Sequence, residues 1–124
     1  MEMTREELLK LIESKEVIGV DLSGQRLEKI DFTGCRVERT SFKGCELVHC
    51  RFRNAKISWS DFRYAEIQHG TFEGAEIEFS DFYRAFIDGV VIFSGSSFSN
   101  CSLNKTYLGE CAIIRKENLK NNRS

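Results

Sequence analysis

His49 and His69, twenty residues apart, and the five cysteines Cys35, Cys45, Cys50, Cys101 and Cys111 are the side chains best suited to bind a metal or attack a substrate. Glu46 and Glu66 stand three residues before the histidines, so a chain that returned to the same side every twenty residues would gather two imidazoles and two carboxylates. That set suits a weak metal site, the one metal reading the sequence offers. The cysteines lack the C-x-x-C spacing of a zinc site, their number is odd, and all five fall where an internal repeat demands small inward residues. They read as free thiols filling a narrow core. No Ser/His/Asp or Cys/His grouping assembles from these spacings, and no glycine-rich phosphate loop occurs. The sequence therefore predicts no enzyme and no cofactor.

What must position these residues is a period of five. Stepping from Leu22 meets a large apolar residue each time as far as Ile92, with Phe32, Phe42, Phe52, Phe62, Phe72 and Phe82 alternating with Leu27, Val37, Leu47, Ile57, Ile67, Ile77 and Ile87. After one six-residue step, placed at Ser94, Gly95 and Ser96, the series resumes at Phe98, Leu103, Leu108 and Ile113, nineteen centres in all. Two residues before each centre the residue is mostly small: the cysteines, Ala55, Ala65, Ala75, Ala85, Thr40, Ser60 and Ser80. A helix would smear a five-residue stripe around its cylinder, and a straight strand would flip successive centres to opposite faces. Residues two apart do share one side of an extended segment, so each repeat reads as a very short strand followed by a bend. The chain must coil, and the alternation of Phe with aliphatic centres requires an even number of walls per turn. Four walls give a twenty-residue turn.

Segments such as Ser60-Asp61-Phe62-Arg63-Tyr64, Ala65-Glu66-Ile67-Gln68-His69 and Ala75-Glu76-Ile77-Glu78-Phe79 resemble the motif of the pentapeptide-repeat proteins: a small residue, a polar one, a Leu or Phe centre and two polar residues. The resemblance implies an all-β fold, a right-handed quadrilateral β-helix with the small residue and the centre inside. The expected organisation is a capping α-helix and lead-in over 1–19, the β-helix over 20–115 and a polar tail over 116–124. Thr4 and Glu7 form a capping box ahead of Leu8, Leu9, Leu11 and Ile12, so a helix over 4–14 should cover the first coil. The tail after Ile113 and Ile114 is too polar to seal the other end, which predicts self-association there as a homodimer.

The chain has 124 residues and a net charge of −1, which fits one domain and excludes a global field for gripping nucleic acid. No stretch has the length and apolarity of a signal peptide or membrane span, and the expected location is the cytoplasm. Between Arg36 and Arg63 seven basic residues meet three acidic ones, a belt of +4, while from Glu66 to Asp88 one basic residue meets six acidic ones, a belt of −5. Three phenylalanines, Phe79, Phe86 and Phe93, fall outside the centre series and are expected to face outward with Trp59 and Tyr83. Trp59, twenty residues before Phe79, should stack on it. These five, with Ile113 and Ile114 at the open end, are the expected partner-binding residues of a rigid, non-enzymatic rod that binds a protein. The resemblance implies an alternative, since the quinolone-resistance type within the family comprises dimeric rods that resemble B-form DNA and bind DNA gyrase, a topoisomerase. Against it, a DNA mimic should be broadly acidic, and this chain carries a basic belt.

Overall fold

The fold is that of a computed structural model describing residues 2–109, 119, 120 and 122. Helix α1 (Arg5–Glu13) begins at Thr4, whose side chain accepts the Glu7 N–H while the Glu7 carboxylate accepts the Thr4 N–H. Its Leu8 is fully buried, Leu11 and Ile12 pack on the core, and Arg5 donates to the Glu28 carbonyl at 2.9 Å. The helix thus caps the first coil, as the capping box predicts.

The rest of the described chain is a ladder of very short strands: β1 (Glu16–Ile18), β2 (Arg26–Glu28), β3 (Arg36–Glu38), β4 (Glu46–Val48), β5 (Lys56–Ser58), β6 (Glu66–Gln68), β7 (Glu76–Glu78), β8 (Phe86–Asp88), β9 (Ser97–Ser99), β10 (Tyr107–Leu108) and β11 (Leu119–Lys120). Odd strands stack in parallel on one wall and even strands on another, in register every twenty residues from Leu27 through Leu47 and Ile67 to Ile87. Isolated bridges knit the two remaining walls, Asp21–Ser41–Asp61–Asp81 on one and Asp31–Arg51–Thr71–Ile92 on the other. The result is a four-sided β-helix of about five turns. The first rung lies in the expected lead-in, because Val17 continues the five-residue series inward. Leu119 and Lys120, from the expected tail, pair with Phe98 and Ser99. Asn122 accepts the Cys101 N–H at 2.7 Å and donates to the Phe98 carbonyl at 2.9 Å.

The interior is a ladder of rings and branched alkyl groups. Phe32, Phe52 and Phe72 stack face to face at 4.6 and 4.7 Å, and Phe42, Phe62 and Phe82 do so at 4.6 Å on the facing wall, the two columns meeting edge to face. Buried hydroxyls at the small position form a ladder of their own: the Thr40 N–H donates to Ser60 Oγ at 3.3 Å and the Ser60 N–H to Ser80 Oγ at 3.1 Å. Among the described residues no buried side-chain nitrogen or oxygen lacks a partner, which lets the Thr40, Ser60 and Ser80 column sit in a dry core at small cost.

The register near residue 90 differs from the sequence reading. Phe93 is 2% exposed and stacks on Phe72 at 5.3 Å, whereas Ile92, taken as a centre, is 45% exposed. The extra residue lies at Gly89–Val90, before Ile92, and Val91 fills the small inward position. The bulge wins there because it sends a fourth ring onto the column of Phe32, Phe52 and Phe72; an inward Ile92 would break that column. Gly95, assigned to the extra residue, is an ordinary corner one rung above Gly74.

The two bridged walls are tied by Asx turns at Asp21, Asp31, Asp61 and Asp81. Asp21 accepts the Ser23 hydroxyl and N–H, and these bonds hold its carboxyl below the ordinary value. Partial burial pushes Asp31 and Asp61 up, yet hydrogen bonds from Thr33 and Arg63 outweigh it and lower both. A carboxyl held below its unfolded value, about 3.9 for Asp, stabilises the fold above that pH and loses its contribution as pH falls through the folded value. The urea midpoint is therefore expected to be flat from pH 7 to 5 and to drop between pH 4 and 2. Asp31→Asn combined with Asp61→Asn should flatten that drop.

Candidate functional site

Turning the chain at each corner requires a residue with positive φ. Glycine takes some corners, but Arg39 (46°), His49 (55°), Trp59 (51°), Tyr64 (61°), His69 (50°), Phe79 (50°) and Arg84 (54°) take others. A bulky residue there is held against its own preference by the hydrogen bonds of the stacked rungs. The consequence for function is geometric, since corner side chains project from the edges of the rod and stack with those one turn away.

Trp59 and Phe79 stack at 4.7 Å with their planes 7° apart, as expected, and Trp59 is 62% exposed. The next corner carries Tyr64, which meets Tyr83 edge to face at 5.8 Å. Arg84 donates through Nε to the Tyr83 hydroxyl at 3.1 Å, which lowers the phenol's pKa. Between these corners lies the outer face of the Phe42–Phe62–Phe82 wall, where Arg63 grips Asp61 with two bonds of 2.9 and 2.7 Å. Around the second corner Phe86 stacks on Tyr107 at 4.6 Å. One flat wall is thus edged by aromatic pairs, and the ion pair in its middle is already satisfied.

Trp59, Phe79, Tyr83 and Phe86 are brought to this wall and its borders. Phe93 is not: it is a core ring, for the register reason above. Ile113 and Ile114 lie outside the described residues. Sequence reasoning left Tyr107 out of the set, and counting one extra residue per turn beyond Phe86 would have found it.

The histidines form a different feature. Their rings stack at 5.3 Å, 19° apart, beside a trough of about 840 Å³. One side of the trough is the corner column of Lys29, His49 and His69, the other is the column of Asp31, Arg51, Thr71 and Ile92, and Ile30, Cys50 and Gly70 make its floor. The bulge closes one end, where the Val90 N–H donates to His69 Nδ1 at 3.3 Å. Glu46, expected beside His49, is instead bonded by Arg26 at 2.7 Å. Among the described residues no three His, Cys, Asp or Glu side chains converge as a metal site. The free thiols of Cys35, Cys45, Cys50 and Cys101 are buried, and burial pushes Cys45 and Cys50 up to about 11, far from a reactive thiolate.

Comparison with known proteins matches residues 16–82 to the family model for the pentapeptide repeat region. No curated protein sequence matches the chain. Among solved structures, HetL, a pentapeptide repeat protein involved in heterocyst differentiation regulation in the cyanobacterium Nostoc, is similar over 84% of this chain and 46% of its own, at 17% identity and a TM-score of 0.45. The chain therefore spans about half the length of HetL. A pentapeptide repeat protein of the Arabidopsis thaliana thylakoid lumen is similar at 22% identity over 83% of this chain and 71% of its own, with a TM-score of 0.36. QnrB1, a plasmid-mediated fluoroquinolone resistance protein, follows at 17% identity, 87% and 80% coverage and a TM-score of 0.24. Likeness at this level concerns the fold alone. Among the described residues no helix is long and apolar enough to cross a membrane.

Proposed function

From the premise that the chain belongs to the pentapeptide-repeat family and folds as its right-handed quadrilateral β-helix, we propose that it is a non-enzymatic interaction module docking a protein partner on the wall edged by Trp59 and Phe79. The supporting observation is the pair of aromatic contacts at the borders of one flat face, the Trp59–Phe79 corner on one side and, on the other, the Tyr64 corner against Tyr83. Large rigid aromatics give contact area at little entropic cost, and a stacked rod has little freedom left to lose on binding. The Asp61–Arg63 pair between them contributes register rather than affinity, since its charges are already matched. Affinity capture from the native lysate tests the reading: Trp59→Ser with Phe79→Ser should lose a specific band while the melting temperature stays within a few degrees. A band retained at full strength contradicts it.

The module is further proposed to pair with itself through its C-terminal coil. Leu108, a centre by the repeat, is 43% exposed, which supports this. Light scattering should give a dimer, and a monomer at tens of micromolar overturns the pairing. Gyrase binding of the quinolone-resistance type finds no comparable support. Arg26 shares its outward strand column with Glu46 and Glu66, and Arg36 and Lys56 share theirs with Glu76, a mixed surface unlike a phosphate backbone.

A further inference from the structure

We infer that the trough beside His49 and His69 is a second binding site, for an extended peptide of a protein partner that carries an acidic side chain and, four residues on, an apolar one. The inference shares the premise of an interaction module but concerns the side of the rod across from the aromatic-edged wall.

The trough has a chemical gradient along its length. At its N-terminal end Lys29 and Arg51 line it, and neither is in an ion pair among the described residues. The acid nearby, Asp31, accepts the Thr33 N–H at 2.9 Å and interacts with the Arg51 charge without forming an ion pair with it. Lys29 and Arg51 against Asp31 give the lining one net positive charge from these three residues. At the C-terminal end the bulge exposes Val90 to 57% and Ile92 to 45%, where the same outward column holds Asp31 and Arg51 in earlier turns. Apolar side chains held in water at a break in an otherwise regular ladder favour an occupant that covers them. Gly70 keeps the floor low between the two ends: a Cβ on it would lie 2.5 Å from the Cys50 carbonyl oxygen.

Spacing selects the occupant. Three rungs of roughly 4.8 Å separate Lys29 from Val90, about 14 Å. An extended peptide places residues i, i+2 and i+4 on one face, with i and i+4 about 13 Å apart. A carboxylate at i then meets Lys29 and the planar fork of Arg51, a polar side chain at i+2 faces the imidazoles, and an apolar side chain at i+4 covers Val90 and Ile92.

The test is fluorescence anisotropy with the labelled peptide Glu-Ser-Thr-Ser-Leu titrated by the full chain. Saturable binding is expected, weakened about tenfold when Lys replaces the peptide's Glu or Ser its Leu, and about tenfold by Arg51→Gln or Ile92→Ser in the protein. Both protein variants change outward side chains, and their melting curves show whether the fold is intact. Trp59→Ser should leave the titration unchanged, which separates this site from the aromatic-edged wall. No binding at millimolar protein, binding indifferent to Arg51→Gln and Ile92→Ser, or binding abolished by Trp59→Ser each overturns the inference.

Discussion

Phe62→Ala is expected to lower the free energy of unfolding by about 3–5 kcal/mol, the range for removing a buried ring from a packed core. Phe62 is fully buried, stacked at 4.6 Å on Phe42 below and Phe82 above, and edge-on to Phe52 at 6.2 Å. In a fold where each rung touches only its neighbours, its loss opens a void in the middle of the ladder and weakens two interfaces together. Set against the roughly 5–15 kcal/mol of a typical domain, that is about a fifth of the total or more. Guanidinium unfolding should show a strongly reduced midpoint. Phe62→Leu, which keeps most of the volume, should cost under about 1.5 kcal/mol. Equal and small effects for both would mean the ring is not in the core.

Phe93→Ala should cost a similar amount, about 3–5 kcal/mol, while Ile92→Ala next to it should fall within about 0.5 kcal/mol of the parent, as exposed positions do. The contrast follows from the bulge at Gly89–Val90, which turns Phe93 onto Phe72 and Ile92 into solvent. The opposite ranking would move the extra residue to Gly95. The trough would then lose its apolar end, so this pair of variants also checks the geometry on which the second binding site depends.

Most of the coil was legible from residue order. Small residues two before large apolar centres admit neither helix nor straight strand, and the alternation of Phe62 with Ile57 and Ile67 gives an even number of walls. The stacking of Trp59 on Phe79 and of His49 on His69 then follows from a twenty-residue turn. Phe93 escaped because Val90, Val91, Ile92 and Phe93 are all apolar, so hydrophobicity cannot say which two face inward. The deciding signal was present but non-local: a ring at the wall of Phe32, Phe52 and Phe72. The trough was less legible still. Among the described residues Arg51 makes no ion pair although its charge acts on Asp31 one rung away, and Glu46 is bonded by Arg26, its neighbour one rung away, rather than standing with the histidines. Such side-chain choices among several partners of like charge are not encoded in a repeat.

Thiol accessibility along the rod tests the central claim, a four-sided coil whose outward corners do the binding, most directly. With the native cysteines replaced by Ala, single substitutions Trp59→Cys, Phe79→Cys, Phe86→Cys and Ile92→Cys are expected to react with a water-soluble thiol reagent at nearly the rate of a free thiol. Ile57→Cys, Ile77→Cys and Phe93→Cys should be protected until the protein unfolds. Protection at 59 and 79 together with rapid labelling at 57 and 77 would contradict the coil and the docking wall with it.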